Sequence, residues 1–365
     1  MINLDFMPSR SLALYLARLF LTRTFAVLLL LVMVLMTLDL LGESGDILSV
    51  PGNGEAELWR YVTLRVPLLV QRFLPFAALL GTLIAFTALN QHSEVVAMKA
   101  AGLSAHQILA PLIVTSILIA IAAFAFNEGV AVKSARMVNA WSENDYRPIR
   151  SGSGVQSNVW VKAGDDLVRA GVVSGRGRTL QLQDVTLYDR SGGALQKVVN
   201  AERAVQSGNA WKLERVRTYD TTMNVVRHAA QVIVLPGVTP DRFTLAKVNP
   251  DETDIVALKG KIAELEHAGR PAEEARAGWW HKISGPLSIV LMPLLAAVAA
   301  FGLARSGQVL LRAAAGMALG FAYFVVDNLS LALGNVGAYP AWLAAWAPFV
   351  LFLLIGEAVL VRSEE

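Results

Sequence analysis

Six long apolar runs divide the chain into two groups of three: Ala17 to Leu41, Val66 to Leu89 and Ala105 to Phe126, then Ile283 to Leu303, Leu310 to Leu333 and Ala341 to Val361. A helix needs about 20 apolar residues to cross the hydrocarbon of a bilayer, where no water satisfies an unpaired backbone group. Each run meets that length, with tilt taking up the excess in the longer ones. The pattern predicts an α-helical polytopic membrane protein with six transmembrane helices. The first run follows Arg10, Arg18 and Arg23, as the core of a secretory signal would. It is too long for such a core and lacks a small-x-small cleavage site, so it is read as a retained helix.

Between the two groups the period changes. Val159-Trp160-Val161, Leu167-Val168, Leu180 to Tyr188, Val198 to Val205, Trp211 to Tyr219 and Val225 to Leu235 are short β-prone runs, separated by turn signals such as Ser191-Gly192-Gly193 and Ser207-Gly208-Asn209. Strands at that spacing, with no helical period between them, predict an antiparallel sandwich or roll. In the third run Leu180 and Leu182 alternate with polar residues, whereas Val185 and Leu187 have the opposite phase, which predicts a bulge near Asp184. After Pro250 the pattern turns helical. Ile255, Leu258, Ile262 and Leu265 fall on one stripe, with Thr253 or Asp251 to start the helix and Gly269 to end it. The expected organisation is 1–127 for spans one to three with a short cytoplasmic helix at about 91–103, 128–250 for the β domain, 251–278 for an amphipathic connector and 279–365 for spans four to six.

Charge sets the orientation, because short loops rich in Lys and Arg stay cytoplasmic. Arg10, Arg18, Arg23, Lys99, Arg305, Arg312 and Arg362 flank one side, whereas the opposite loop, Gly42 to Leu64, holds Glu43, Asp46, Glu55 and Glu57 against Arg60. Both termini are therefore expected in the cytoplasm and the β region outside the cytoplasmic membrane. Trp59, Tyr61, Trp141, Trp279 and Trp280 are placed at the outer interface as anchors. Composition fits a bilayer protein, with 55% hydrophobic residues and a mean hydropathy of +0.49. The net charge of +3, without a basic cluster interleaved with aromatics, points away from nucleic acid. The absence of cysteine rules out disulfides, thiolate metal sites and iron–sulfur clusters.

No G-x-x-x-x-G-K-[ST], H-E-x-x-H, G-x-S-x-G or Cys/His ligand spacing occurs, and the histidines at 92, 106, 228, 267 and 281 are scattered. No catalytic residue, metal ligand or cofactor site is expected. The informative stretch is Asn90 to Ser104, linking spans two and three. Ser93 is suited to cap a short helix, Glu94 favours its N-terminal dipole and Gly102 can end it in a left-handed turn, while Ser104 and Gln107 form a capping box for the third span. This predicts a two-turn helix presenting Val95 and Met98 among small alanines. It reads either as an ordinary interhelical turn or as a docking element for a cytoplasmic partner.

Leu74-Pro75-Phe76-Ala77-Ala78-Leu79-Leu80-Gly81 and Ser93-Glu94-Val95-Val96-Ala97-Met98-Lys99-Ala100-Ala101-Gly102 closely resemble the LptF/LptG permease family of lipopolysaccharide export. Val159 to Gly164, Trp280 to Leu287 and Gly320 to Asn328 match in order along nearly the whole chain. The aspartate in span five and the Gly-Phe pattern beside it resemble the LptG branch more than the LptF branch. The resemblance implies that the insertion is a periplasmic β-jellyroll and that Gln91 to Leu103 is a coupling helix seated on a dimeric LptB-type ATPase. That partner would bind the ATP and magnesium. The coupling residues implied are Ser93, Glu94, Val95, Met98, Lys99 and Gly102, with Glu94 matching the family's coupling-helix glutamate. It further implies an LptF-type paired permease, an LptC-type periplasmic β-jellyroll partner and a bacterial inner-membrane location.

Charges within the spans are costly and usually face a cavity or a partner; Asp39, Arg72, Asp327 and Glu357 are such residues. Asp39 and Asp327 are candidates for a gate between spans one and five, against simple interfacial placement or an interhelical hydrogen bond. Lipopolysaccharide carries phosphates at the outer surface, which makes Arg72, Lys133 and Arg136 candidate headgroup contacts, against interfacial snorkelling. Where LptG-type proteins commonly carry lysines in the outer half of span one, this chain has Met36, Thr37, Gly42 and Glu43. Gly316-Met317-Ala318-Leu319-Gly320 suits close helix packing, and Pro75, Pro286 and Pro293 are expected to kink their helices. The leading expectation is a non-catalytic permease subunit of an ATP-driven glycolipid exporter that passes lipid from the outer leaflet to a periplasmic bridge. The alternatives are a membrane sensor or scaffold and an ion-coupled secondary transporter, the latter expected to show matched broken helices in both halves.

Overall fold

The structure, a computed structural model, describes residues 7–148, 156–163, 165–175, 180–190, 194–208, 210–220, 225–234, 238–240, 243, 248–267, 270–301 and 309–362. The first helix, α1 (Arg10–Ser49), has 40 residues and is about 60 Å long, twice the hydrocarbon thickness. It is followed by α2 (Glu55–Gln91), the short α3 (Glu94–Ala100), α4 (Ala105–Phe126), a π-helical turn (Asn127–Ala131) and α5 (Val132–Glu143). Beyond the strands come α6 (Ile255–His267), α7 (Glu273–Phe301), α8 (Val309–Asn335) and α9 (Ala341–Arg362).

Five helical stretches among the described residues are long and apolar enough to cross a membrane: Arg10–Ser49, Glu55–Gln91, Ala105–Glu143, Ala314–Asn335 and Ala341–Arg362. The fourth predicted span lies in α7. That helix opens on a polar and aromatic stretch, Glu273 to Lys282, and its expected end at Leu303 falls outside the described residues. Pro75, Pro286 and Pro293 sit inside helices that continue through them.

Two compact units are distinguished. The first comprises Met1–Glu43, Leu58–Ala135 and Pro250–Glu365, and the second Ser44–Glu57 and Arg136–Asn249. Within the first, α8 is polar inside and apolar outside. Gly316, Gly320, Tyr323, Asp327, Ser330 and Gly334 form its buried stripe, whereas Phe321, Val325 and Leu329 are exposed. Such a pattern is stable where the surroundings are lipid, since small residues then let helices approach and large apolar ones face the acyl chains. Two glycines mark close approaches. A Cβ at Gly81 would lie 2.7 Å from the Thr24 backbone, and one at Gly320 would overlap the Leu79 side chain. The connector α6 buries Leu258 and Leu265 on the expected stripe. Its cap is Asp254, whose Oδ1 accepts from Ala257 N–H at 2.8 Å, in place of the expected Thr253 or Asp251. Thr253 is buried instead and accepts from Lys261 Nζ at 3.4 Å. Gly269 lies outside the described residues.

The second unit holds one antiparallel sheet of six strands in sequence order: β1 (Gln156–Ala163), β2 (Asp166–Ser174), β3 (Gln181–Asp189), β4 (Lys197–Ser207), β5 (Ala210–Tyr219) and β6 (Val225–Val234). The insertion carries an antiparallel sheet, as expected, although α5 occupies the start of the expected 128–250 domain. The described strands form an open meander, with none of the crossovers between two sheets that a jellyroll requires. Each strand pairs with its sequence neighbour because short connections favour hairpins. The bulge expected at Asp184 is absent: no residue is inserted there, and the change of phase comes instead from a row of unpaired positions that face one another one to one. Gly171, Asp184, Glu202 and Arg215 lie opposite one another across β2 to β5, and the ladders skip each of them. Asp184 and Arg215 have positive φ, 51° and 55°. Because all strands slip by one residue together, register is kept and apolar side chains return to the same face. Ala170 and Val173, Leu182 and Val185, Ala201 and Ala204, and Leu213 and Val216 are all in one core. That core is closed by Trp211, whose Nε1 donates to Val238 O at 2.8 Å and whose ring meets Phe243 edge-on at 5.1 Å.

Candidate coupling site and charges within the spans

The short helix between α2 and α4 forms as its sequence predicts at one end and differently at the other. At its C-terminus Gly102 takes φ +89°, Leu103 N–H donates to Met98 O at 3.1 Å and Gly102 N–H to Lys99 O at 3.0 Å, a Schellman closure. Ser104 and Gln107 then make the capping box that starts α4. At the N-terminus, however, Ser93 has a left-handed φ of 58° and makes no side-chain cap. An N-cap needs extended backbone to bring its oxygen to the first-turn amides.

The face of α3 also differs from expectation. Val95 and Met98 are buried, at 4% and 8% exposure, within this chain's own first unit. The outward surface is Val96, 65% exposed, with Ala97, Lys99 and Ala100. A seven-residue helix has too few hydrogen bonds to hold its own orientation, so packing against its neighbours, and not residue size, decides which face it buries. Glu94 is half-buried and accepts from Tyr15 O–H of α1 at 3.0 and 3.2 Å.

Three of the four charges singled out within the spans, Asp39, Asp327 and Glu357, have partners on other helices. Asp39 receives Tyr61 O–H at 2.7 Å and a bidentate pair from Arg65, Nε at 2.8 Å and Nη2 at 3.0 Å, binding α1 to α2. Asp327 on α8 is 8% exposed and lies 4.0 Å from His281 of α7. The two proposed gate aspartates are thus engaged separately, Asp39 with span two and Asp327 beside span four. Glu357 meets His106 at 3.2 Å. Of the headgroup candidates, Arg72, Lys133 and Arg136 are all exposed, Arg72 near the middle of α2 and the other two a turn apart on α5. Tyr61 and Trp141 are not interfacial anchors: Tyr61 is 3% exposed on Asp39, and Trp141 is 1% exposed against Tyr146. Trp59, at 69% exposure, keeps the character of one.

One charged cluster escaped the sequence pattern. Glu128, in the π-helical turn, accepts from Lys282 Nζ at 2.8 Å and from Ile255 N–H, the first residue of α6, at 2.6 Å. Trp279 Nε1 donates to Ile255 O at 3.2 Å and Gly278 packs on Pro250, so one carboxylate ties α4's extension, α6 and α7 together. No group of metal-ligating side chains is found among the described residues.

The family profile described as lipopolysaccharide export system permease LptF/LptG matches residues 14–362. The chain belongs to the LptF/LptG family. It is similar to the lipopolysaccharide export system permease protein LptG of Escherichia coli K12, with 29% identity over 311 residues, 83% of this chain and 85% of that protein. It is also similar to LptG of Haemophilus influenzae, with 26% identity over 327 residues, 86% of this chain and 89% of that protein. The LptG-like reading of Asp327 and the neighbouring Gly-Phe pattern agrees with both. As a family member this chain is a membrane permease with helical spans, of the system that exports lipopolysaccharide.

Proposed function

We propose that this chain is the LptG-type half of a permease pair that extracts lipopolysaccharide from the outer leaflet of the inner membrane and passes it to a periplasmic bridge. The observation that carries the coupling part is α3, a short helix held between two spans with Val96, Ala97, Lys99 and Ala100 turned outward. A small apolar patch beside a lysine suits a groove on an ATPase subunit of LptB type, which binds ATP and magnesium and performs the hydrolysis. In this reading an LptF-type permease faces the largely exposed α1, and an LptC-type protein joins the open sheet of the insertion. Both termini and α3 face the cytoplasm, and the insertion, one span later, faces the periplasm. Arg72, Lys133 and Arg136 are exposed cations suited to lipid phosphates. Replacing Glu94 with alanine should lower lipid-stimulated ATP hydrolysis by the assembled complex in liposomes several-fold. Unchanged hydrolysis with intact assembly overturns the coupling role of α3.

A further inference from the structure

Span one is attached to its unit along a narrow line. Leu16, Phe20, Thr24, Leu28, Val32 and Met36 are its buried residues through the bilayer, one every four positions. Leu14, Phe25, Leu29, Met33 and Leu38 around the remaining circumference are each more than half exposed. A helix packed on one residue per turn depends on its polar ties for position. One tie is the bidentate Arg65 pair on Asp39, which joins α1 to the next helix in the chain. The other skips a helix: Tyr15 O–H reaches both carboxylate oxygens of Glu94 on α3, 79 residues away in sequence.

Resting on the coupling role proposed for α3, we infer that Tyr15 is a positioning residue, and that its hydrogen bond to Glu94 makes span one follow α3 when the ATPase moves it. Glu94 is suited to this double contact. An ionised carboxylate offers about four acceptor sites, and the single Tyr15 hydrogen leaves most of them open to a cation on a partner. The same side chain therefore touches α1 on one side and the docking surface on the other. Val95 and Met98 anchor the helix between them, so displacement of α3 bears directly on the Tyr15 hydroxyl instead of passing around through α2.

The test uses the full-length chain in its assembled complex, reconstituted with lipopolysaccharide in liposomes. Tyr15→Phe keeps the ring and removes the donor; the lipid-stimulated increment of ATP hydrolysis should fall about fivefold, the scale of one ordinary intramolecular hydrogen bond. Tyr15→Phe combined with Glu94→Ala should fall no further than Glu94→Ala alone, because the alanine already removes the acceptor of the shared interaction. The chain has no cysteine, so spin labels on cysteines introduced at Leu14 and Ala101, the residue that closes α3, report the separation of α1 and α3 directly. The distance should stay single and constant across nucleotide states in the otherwise native protein, and broaden with Tyr15→Phe. Additive loss, or Tyr15→Phe hydrolysis equal to native, overturns the inference. So does a native distance that changes between nucleotide states, a measurement that decides the matter even where the variant does not assemble. If Glu94→Ala leaves hydrolysis intact in an assembled complex, the coupling role of α3 itself is overturned.

Discussion

Lys282 carries its charge on a helix with a largely apolar face, and its side chain is only 6% exposed. Glu128, 17% exposed, meets that charge and also accepts the Ile255 amide. Isolated, either ion would be costly here, and a buried pair stabilises little relative to an apolar substitute. Removing one partner is a different matter: Lys282→Met should cost about 3–5 kcal/mol, read as a lower Tm in detergent. Glu128→Gln added to Lys282→Met should recover most of it, since the amide oxygen still serves Ile255 N–H. Residues of this kind show how far the sequence reaches. Asp39, Asp327 and Glu357 stand out because a charge inside an apolar run is visible without a structure. Their neighbours Arg65, His281 and His106 do not, because pairing depends on how each helix is rotated against the next. Ser93 misled for a related reason, since its residue type suits a cap and only its backbone angle forbids one.

At the level of elements, hydropathy placed some helices closely: α4 spans Ala105–Phe126 as expected and α9 differs from expectation by a single residue, whereas α1 and α2 begin well before Ala17 and Val66, at Arg10 and Glu55. Faces were less legible. Val95 and Met98 looked like a docking surface, yet in a chain with its own membrane core they pack inward while Val96, of equal size to Val95, is turned outward. In α8 the buried stripe is small and polar, which hydropathy alone would have assigned to water; the G-x-x-x-G at Gly316 and Gly320 was the available sign. Gly320 sits where a side chain would overlap Leu79. Gly320→Val should therefore overpack the α2 and α8 contact and destabilise the protein by about 1–3 kcal/mol. Combining it with Leu79→Ala should return part of that loss in a thermal melt, because the obstructing group is the flexible end of a leucine. A loss from Gly320→Val that Leu79→Ala leaves untouched would show that backbone strain, and not this contact, sets the cost.

For the molecule as a whole, the sheet owns a core that draws only on its own unit. Trp211 is fully buried, and Leu182, Ala204 and Leu213 around it are all below 2% exposure. The helical unit draws its stability from lipid-facing and small-residue packing, a different balance of forces with a different response to detergent and heat. The two units should therefore fail separately. Trp211→Ala removes the largest buried side chain of the sheet and leaves the Val238 carbonyl without its donor, a combined cost of about 3–5 kcal/mol. The expected consequence is local: new protease cleavage confined to residues 136–249, with the helical unit still extracted intact from membranes. Such a lesion would also separate the two halves of the proposed mechanism. ATP hydrolysis coupled through α3 should persist in the Trp211→Ala complex while delivery of lipopolysaccharide to an acceptor falls. Loss of both together would mean that the insertion is needed for assembly and does not act only after lipid has left the membrane.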